Sequence, residues 1–208
     1  AVCRKTIHGD VPPQNMLTCI RVLEPWRAER NNLMRELRKD PATQRWVIIS
    51  TERNQRPHQF ITNHTEIPDD QENCPFCEGR EYMTPPEIFS YRKAGSNPNE
   101  QGWDIRVVPD KEPILDPAEP MKKYGVGMFD AMRATGAHEL VLETPCHRQE
   151  WGDITAERIG RIIAIYRSRI NELKQDSRIK YVMVTKNHGV TAGACLHHPH
   201  SHIVGLPI

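Results

Sequence analysis

Four histidines, His197, His198, His200 and His202, fall within six residues near the end of the 208-residue chain. Side chains alternate faces in an extended segment, so His198, His200 and His202 are predicted to project from one side of a strand. Three imidazoles are poor packing material, because each carries two ring nitrogens that need partners. Such a row suits a metal, a phosphate, or both. A neutral imidazole can attack phosphorus and hold the group as a phosphoramidate. The turn from Gly189 to Gly193 just before it could bring backbone N–H groups close to phosphate oxygens. Cys74-Pro75-Phe76-Cys77 places two thiolates at knuckle spacing, which is half of a tetrahedral zinc site. The six cysteines contain no second such pair, so histidines are expected to complete it. His147 and His198 are the candidates; Cys146 could compete with His147, and His138 is a further option.

Several elements must position these residues. Trp46-Val47-Ile48-Ile49 follows the turn Asp40-Pro41-Ala42-Thr43 and reads as a strand. Residues 103–108, 138–143, 179–184 and 198–206 read as further strands. Residues 109–129 hold Pro113, Pro117 and Pro120, which predicts a loop. The clearest helix starts after Thr155, a good N-cap, with Ile159, Ile162, Ile163, Tyr166, Ile170 and Leu173 at helical spacing. Residues 1–33 are poorly patterned and read as an N-terminal extension, with the folded domain over 34–208.

Composition narrows the function class. Lys and Arg number 28 against 27 Asp and Glu, a net charge of +1, which is too balanced for a protein built on nonspecific phosphate-backbone binding. No apolar run approaches the ~20 residues of a membrane span, and the first residues lack a signal-peptide stretch, so a cytoplasmic protein without nucleic-acid or membrane partners is the expectation.

Taken together and in order, the motifs resemble the galactose-1-phosphate uridylyltransferase family of the histidine-triad-like superfamily. They are Glu36-Leu37-Arg38-Lys39-Asp40-Pro41 through Ser50, Arg53-x-x-Arg56-Pro57, Cys74-Pro75-Phe76-Cys77, Glu143-Thr144-Pro145-x-His147, Asn187-x-Gly189 and His198-Pro199-His200. The resemblance implies an α+β fold, a half-barrel of antiparallel strands with a long helix packed on it. It implies His200 as the nucleophile that carries a nucleotidyl group between two half-reactions. Cys74, Cys77, His147 and His198 would be the ligands of a structural Zn2+. Arg53, Arg56, Asn187 and Gly193 would meet the phosphates. Cys195 stands where the family has Ser in the same turn. His202 stands where the family has Gln, and Pro109-Asp110-Lys111-Glu112-Pro113 replaces the usual Pro-Asn-Lys-Phe-Pro. The expected activity is uridylyl transfer between UDP-glucose and a hexose 1-phosphate, with a nucleotide sugar and a sugar 1-phosphate as partners. An adenylyltransferase or phosphorylase using ADP-sugar or adenylyl sulfate is the alternative that His202 favours. A non-catalytic zinc-binding module is a second alternative, though it leaves the three-histidine row unexplained. The chain reads as the N-terminal half of a longer protein, and a homodimer is expected of the full-length form.

Overall fold

The computed structural model describes residues 35–51, 70–149, 151–194 and 196–208. The expectations placed on residues 1–33, Arg53, Arg56 and Cys195 lie outside that set. Nine strands are described: β1 (Arg35–Lys39), β2 (Trp46–Ser50), β3 (Phe89–Arg92), β4 (Trp103–Pro109), β5 (Lys123–Val126), β6 (Phe129–Arg133), β7 (Ala137–Leu142), β8 (Tyr181–Thr185) and β9 (His200–Leu206). They form two antiparallel sheets, ordered β2-β1-β6-β5 and β3-β4-β7-β9-β8. One long helix, α1 (Ala156–Leu173), joins β7 to β8. This is the expected α+β arrangement.

The helix forms where the apolar spacing places it. Thr155 is extended, and its hydroxyl accepts from the Arg158 amide, satisfying one of the free donors of the first turn. Its inner stripe differs in one respect from the expected list. Ile165 is buried against the sheet with Ile162, whereas Ile163 is 50% exposed. Ile162 and Ile165 cover Ile105, Val107, Val141 and Ile203 of the larger sheet. Arg169 fixes the helix further by a two-pronged ion pair with Glu139, 2.8 Å on each branch, with both side chains nearly sealed.

The opposite face of the larger sheet carries the chemistry. Val108, Leu140 and Leu142 point there, packed with Trp103 against Phe76 and the two cysteines. In the pairing of β7 with β9, Leu142 opposes His200 and Leu140 opposes His202, so both histidines share this face. The smaller sheet closes one end of the face, with Leu37 and Met132 packed on Val204 and Leu115.

Three elements depart from the sequence reading. Residues 109–129 were expected to be a loop, and their last part instead enters a hairpin, β5–β6, with Gly127-Met128 as a two-residue turn and Gly127 at φ 59°. The strand expected from residue 198 begins at His200. Pro199 lacks an amide hydrogen for the ladder, and its carbonyl instead accepts from Glu143 N at 3.3 Å. The strand expected over 179–184 runs as β8, two residues later at its start.

Candidate active site and metal centre

The late start of β9 separates the three histidines. Ahead of the strand, His198 is fully buried and turns into a cluster with Cys74, Cys77 and His147. His198 Nδ1 lies 3.7 Å from Cys74 Sγ and 3.6 Å from Cys77 Sγ, and His147 Nδ1 lies 3.4 Å from Cys77 Sγ. A tetrahedral zinc with bonds of ~2.3 Å to sulfur and ~2.0–2.1 Å to nitrogen separates its sulfur and nitrogen ligands by about 3.5 Å. The four ligand atoms all lie within 4.8 Å of one another, and the cluster could hold a metal ion such as zinc. The outer nitrogen of His198 sits 2.8 Å from the Thr144 carbonyl, an acceptor only, so Nε2 carries the proton and Nδ1 is left as the ligand atom. The hydrogen bond from the Cys77 thiol, the largest effect, holds the Cys74 thiol well below its ordinary range against the opposing cost of burial.

His200 lies two residues further on, lining a cavity of about 520 Å³. Phe76, from the Cys-x-x-Cys loop, lies between the two functions, with its ring centre 6.0 Å from His198 and 5.2 Å from His200. His200 Nδ1 is 2.7 Å from the carbonyl oxygen of His198. That oxygen can only accept, so the proton resides on Nδ1 and the lone pair on Nε2. Burial, the largest effect, pushes the His200 pKa below the usual imidazole range, although the bond to His198 opposes it. The ring is therefore neutral at pH 7. His202 follows on the same face, 5.1 Å from His200 between ring centres. Asn187 and Gly193 line the same cavity, so the structure brings four of the sequence-selected residues around one space. Gly193 has φ 76°, a left-handed conformation that a residue with a β-carbon enters at a cost.

Sequence reasoning gave no role to the opposite side of β9. Ser201 points away from the cavity and is fully buried beside Glu143, which is also at zero exposure. Glu143 accepts from Ser201, from Trp151 Nε1 at 2.5 Å, from Lys186 Nζ at 2.7 Å and from Tyr166 Oη at 3.3 Å. Tyr166 also meets Ser201 at 2.7 Å, and burial raises its phenol pKa. Lys186 additionally reaches the His200 carbonyl at 3.4 Å. A buried carboxylate is retained only when paired and hydrogen-bonded, and here four donors meet it. The strand carrying His200 is thus braced from behind. The period-2 pattern was the available signal, since it sends Ser201 to the face away from the histidines.

Residues 24–207 match the family model described as galactose-1-phosphate uridyl transferase, N-terminal domain. The chain belongs to this family. Over 176 residues it is 38% identical to an ADP-glucose phosphorylase of Arabidopsis thaliana, an alignment covering 83% of this chain and 49% of the relative. A galactose-1-phosphate uridylyltransferase of Thermotoga maritima is 28% identical over 176 residues, covering 84% and 47%. The chain therefore spans about half the length of these curated relatives. Among solved structures it is similar to an ADP-glucose phosphorylase from Arabidopsis thaliana with bound ADP-glucose, with TM-score 0.53 and 34% identity over 84% of this chain and 49% of that one. A uridylyltransferase structure superposes with TM-score 0.59 at 25% identity, covering 83% and 46%. No described helix is long and apolar enough to cross a membrane.

Proposed function

We propose that the chain supplies the nucleophilic half of a nucleotidyltransferase that works by double displacement through His200, with an ADP-sugar as donor. The observation that supports this best is the His200 ring itself. It is neutral through burial, its Nδ1 proton is held by the His198 carbonyl, and Nε2 is left as the nucleophilic nitrogen on a residue lining the cavity.

In the first half-reaction Nε2 attacks the α-phosphorus in line. The bond from that phosphorus to the bridging oxygen breaks, and the sugar 1-phosphate departs with the electron pair. The positive charge that develops on the ring is spread through Nδ1–H onto the His198 carbonyl, which is aimed there before the reaction begins. A second phosphate then attacks phosphorus from the same cavity, and the phosphorus–nitrogen bond breaks to restore neutral His200. Because the acceptor is already an anion, no hydroxyl proton need be removed. Catalysis rests on positioning and on charge stabilisation. Asn187, the Gly189–Gly193 turn, Arg53, Arg56, Cys195 and His202 are proposed to meet the phosphates. A zinc ion bound by Cys74, Cys77, His147 and His198 would be structural, since four protein ligands complete its tetrahedron and leave no open position.

The motif resemblance puts uridylyl transfer first. The 38% identity to an ADP-glucose phosphorylase, against 28% to a uridylyltransferase, favours the adenylyl alternative instead. Transfer between UDP-glucose and galactose 1-phosphate is the second reading, supported by the description of the matching family model. Homodimerisation of the full-length form and an N-terminal extension over 1–33 are part of the same proposal.

The test is to incubate full-length protein separately with ADP-glucose and UDP-glucose, each radiolabelled in the nucleotide phosphate. ADP-glucose is expected to give acid-labile, base-stable protein label that His200→Gly abolishes. Label from UDP-glucose alone reverses the two readings. Label from neither donor, or label that survives His200→Gly, removes the double-displacement mechanism.

A further inference from the structure

Beside His202 lies a second group of polar side chains that the mechanism above does not use. His138 on β7 is buried, and both of its ring nitrogens are engaged by different neighbours. Nε2 is 2.9 Å from His202 Nδ1, and Nδ1 is 3.1 Å from Asp110 Oδ2. The His138 and His202 rings lie nearly parallel, 25° apart, with centres 5.2 Å from each other. Asp110 is itself anchored twice by backbone. Its amide donates to the His138 carbonyl at 2.9 Å, and its Oδ1 accepts from Glu112 N at 2.9 Å. These three side chains also meet the spacing of a cation site. The contacts argue otherwise: a cation would take one nitrogen from His138, whereas here each nitrogen points at a different partner.

We propose that Asp110 and His138 are positioning residues that fix the tautomer of His202 at the reaction site. Each proton along the line decides the next. A carboxylate facing Nδ1 of His138 requires a proton there, because two lone pairs would repel. The Ile114 amide also approaches this nitrogen, at 3.3 Å, and would prefer it bare. The charged and nearer carboxylate prevails. With His138 carrying its one proton on Nδ1, its Nε2 can only accept, and His202 donates from its own Nδ1. The basic nitrogen of His202 is then Nε2, on a ring that lines the same cavity as His200. A nitrogen lone pair beside the nucleophile suits the O–H of a monoprotonated phosphate acceptor, through a hydrogen bond in which no group is transferred. This role rests on the nucleotidyl-transfer reading, but the tautomer itself does not.

The tautomer can be read without activity, by two-dimensional NMR of the chain labelled with ¹⁵N-histidine. His202 Nδ1 is expected at a pyrrole-type shift and Nε2 at a pyridine-type shift. In Asp110→Asn, the amide oxygen should keep the bond from Glu112 and leave the NH₂ group facing His138 Nδ1. Every proton along the line then moves over, and the two His202 shifts should exchange types. His138→Phe, which cuts the line while keeping its volume apolar, should leave His202 averaging between tautomers. If the wild-type protein shows Nε2–H on His202, or if Asp110→Asn leaves its shifts unchanged, the proposal is wrong. It is equally overturned if zinc or cobalt titration gives a second bound equivalent that Asp110→Asn removes, because the group is then a cation site. In full-length protein, Asp110→Asn should slow nucleotidyl labelling about tenfold or more, the effect of losing one charge-assisted hydrogen bond. It should have no further effect in a His202→Gln background. Equal slowing in both backgrounds would assign Asp110 a role unrelated to His202. Absence of label in every variant would count against the nucleotidyl-transfer reading and leave the NMR result standing.

Discussion

Two polar clusters sit on the same face of the larger sheet, one through His198 just ahead of β9 and one through His202 on it, and they solve different problems. In the first, Cys74, Cys77, His147 and His198 converge on a common centre, fully sealed, with two soft thiolates among the donors. In the second, Asp110, His138 and His202 are linked side chain to side chain, and both Asp110 and His202 line the cavity. Convergent donors with sulfur among them favour a cation, whereas a line of alternating donors and acceptors favours ordered protons. His200 stands between the two and takes its orientation from the first, through the carbonyl of His198. The contrast shows that histidine count says little about function until the direction of each ring nitrogen is known.

The largest effect that would break this contrast comes from the convergent cluster. The double substitution Cys74→Ala, Cys77→Ala should abolish metal binding measured by elemental analysis, with about one equivalent expected in the unmodified chain. Structural zinc is worth on the order of 10 kcal/mol in small zinc-folded peptides, so thermal unfolding should shift by tens of degrees or lose its cooperativity. Unchanged metal content in the double variant would show that the four side chains are only a packed polar cluster.

The next effect concerns the strand that both clusters share. Glu143→Ala would leave Lys186, Ser201 and Trp151 without their common acceptor in a buried setting, at a cost of about 3 kcal/mol in chemical denaturation. It should also weaken nucleotidyl labelling at His200, although Glu143 faces away from the cavity. Full labelling at reduced stability would mean the brace is needed for folding only.

Acid should then separate the two clusters by pH. Burial keeps the folded-state pKa of His200 below that of the unfolded chain, so the neutral ring contributes stability that is present above ~6.5 and is lost as pH falls through the depressed folded value. Labelling of His200 should therefore fall with acid at a midpoint below the ordinary imidazole value. Metal release on the same titration follows proton competition for the thiolates and should track Cys74 and Cys77 rather than His200. A labelling curve centred on the ordinary histidine value would show that the ring is solvated in the working protein.

The smallest effect is at Gly193, where φ is 76° and no neighbouring atom lies within 4 Å of the place a β-carbon would take. Gly193→Ala should cost only the backbone preference, about 1 kcal/mol, measured by thermal unfolding. A larger loss of donor binding than of stability would point to a direct phosphate contact by this turn.

How far the sequence could be read follows from the range of the forces involved. The helix and its cap were legible because Thr155 and a repeating apolar stripe act within a few residues. β4 and β7 were legible for the same reason, being short segments rich in apolar residues, Trp103, Ile105, Val107 and Val108 in one and Leu140, Val141 and Leu142 in the other. β1 has the composition Arg-Glu-Leu-Arg-Lys, which favours helix by local preference, and is a strand because Leu37 fits between the sheets opposite Met132. No local pattern carries that information. The candidate metal ligands were legible because thiolate spacing and histidine chemistry are strong signals. The Asp110–His138–His202 line was not, since it joins a loop to two strands whose register only the folded sheet sets.

The convergent cluster also has a consequence for when the site can exist. Cys74 and His198 are 124 residues apart in the chain and Cys77 and His147 are 70 apart, so the cluster closes two long loops at once. Closing a loop costs entropy that rises with the logarithm of its length, and contacts of this separation form late and slowly. During synthesis the first cysteine pair emerges more than a hundred residues before its last partner, at ~5–20 residues per second. The nascent chain must keep two thiols unspent for that whole interval, until His198 turns them into a scaffold.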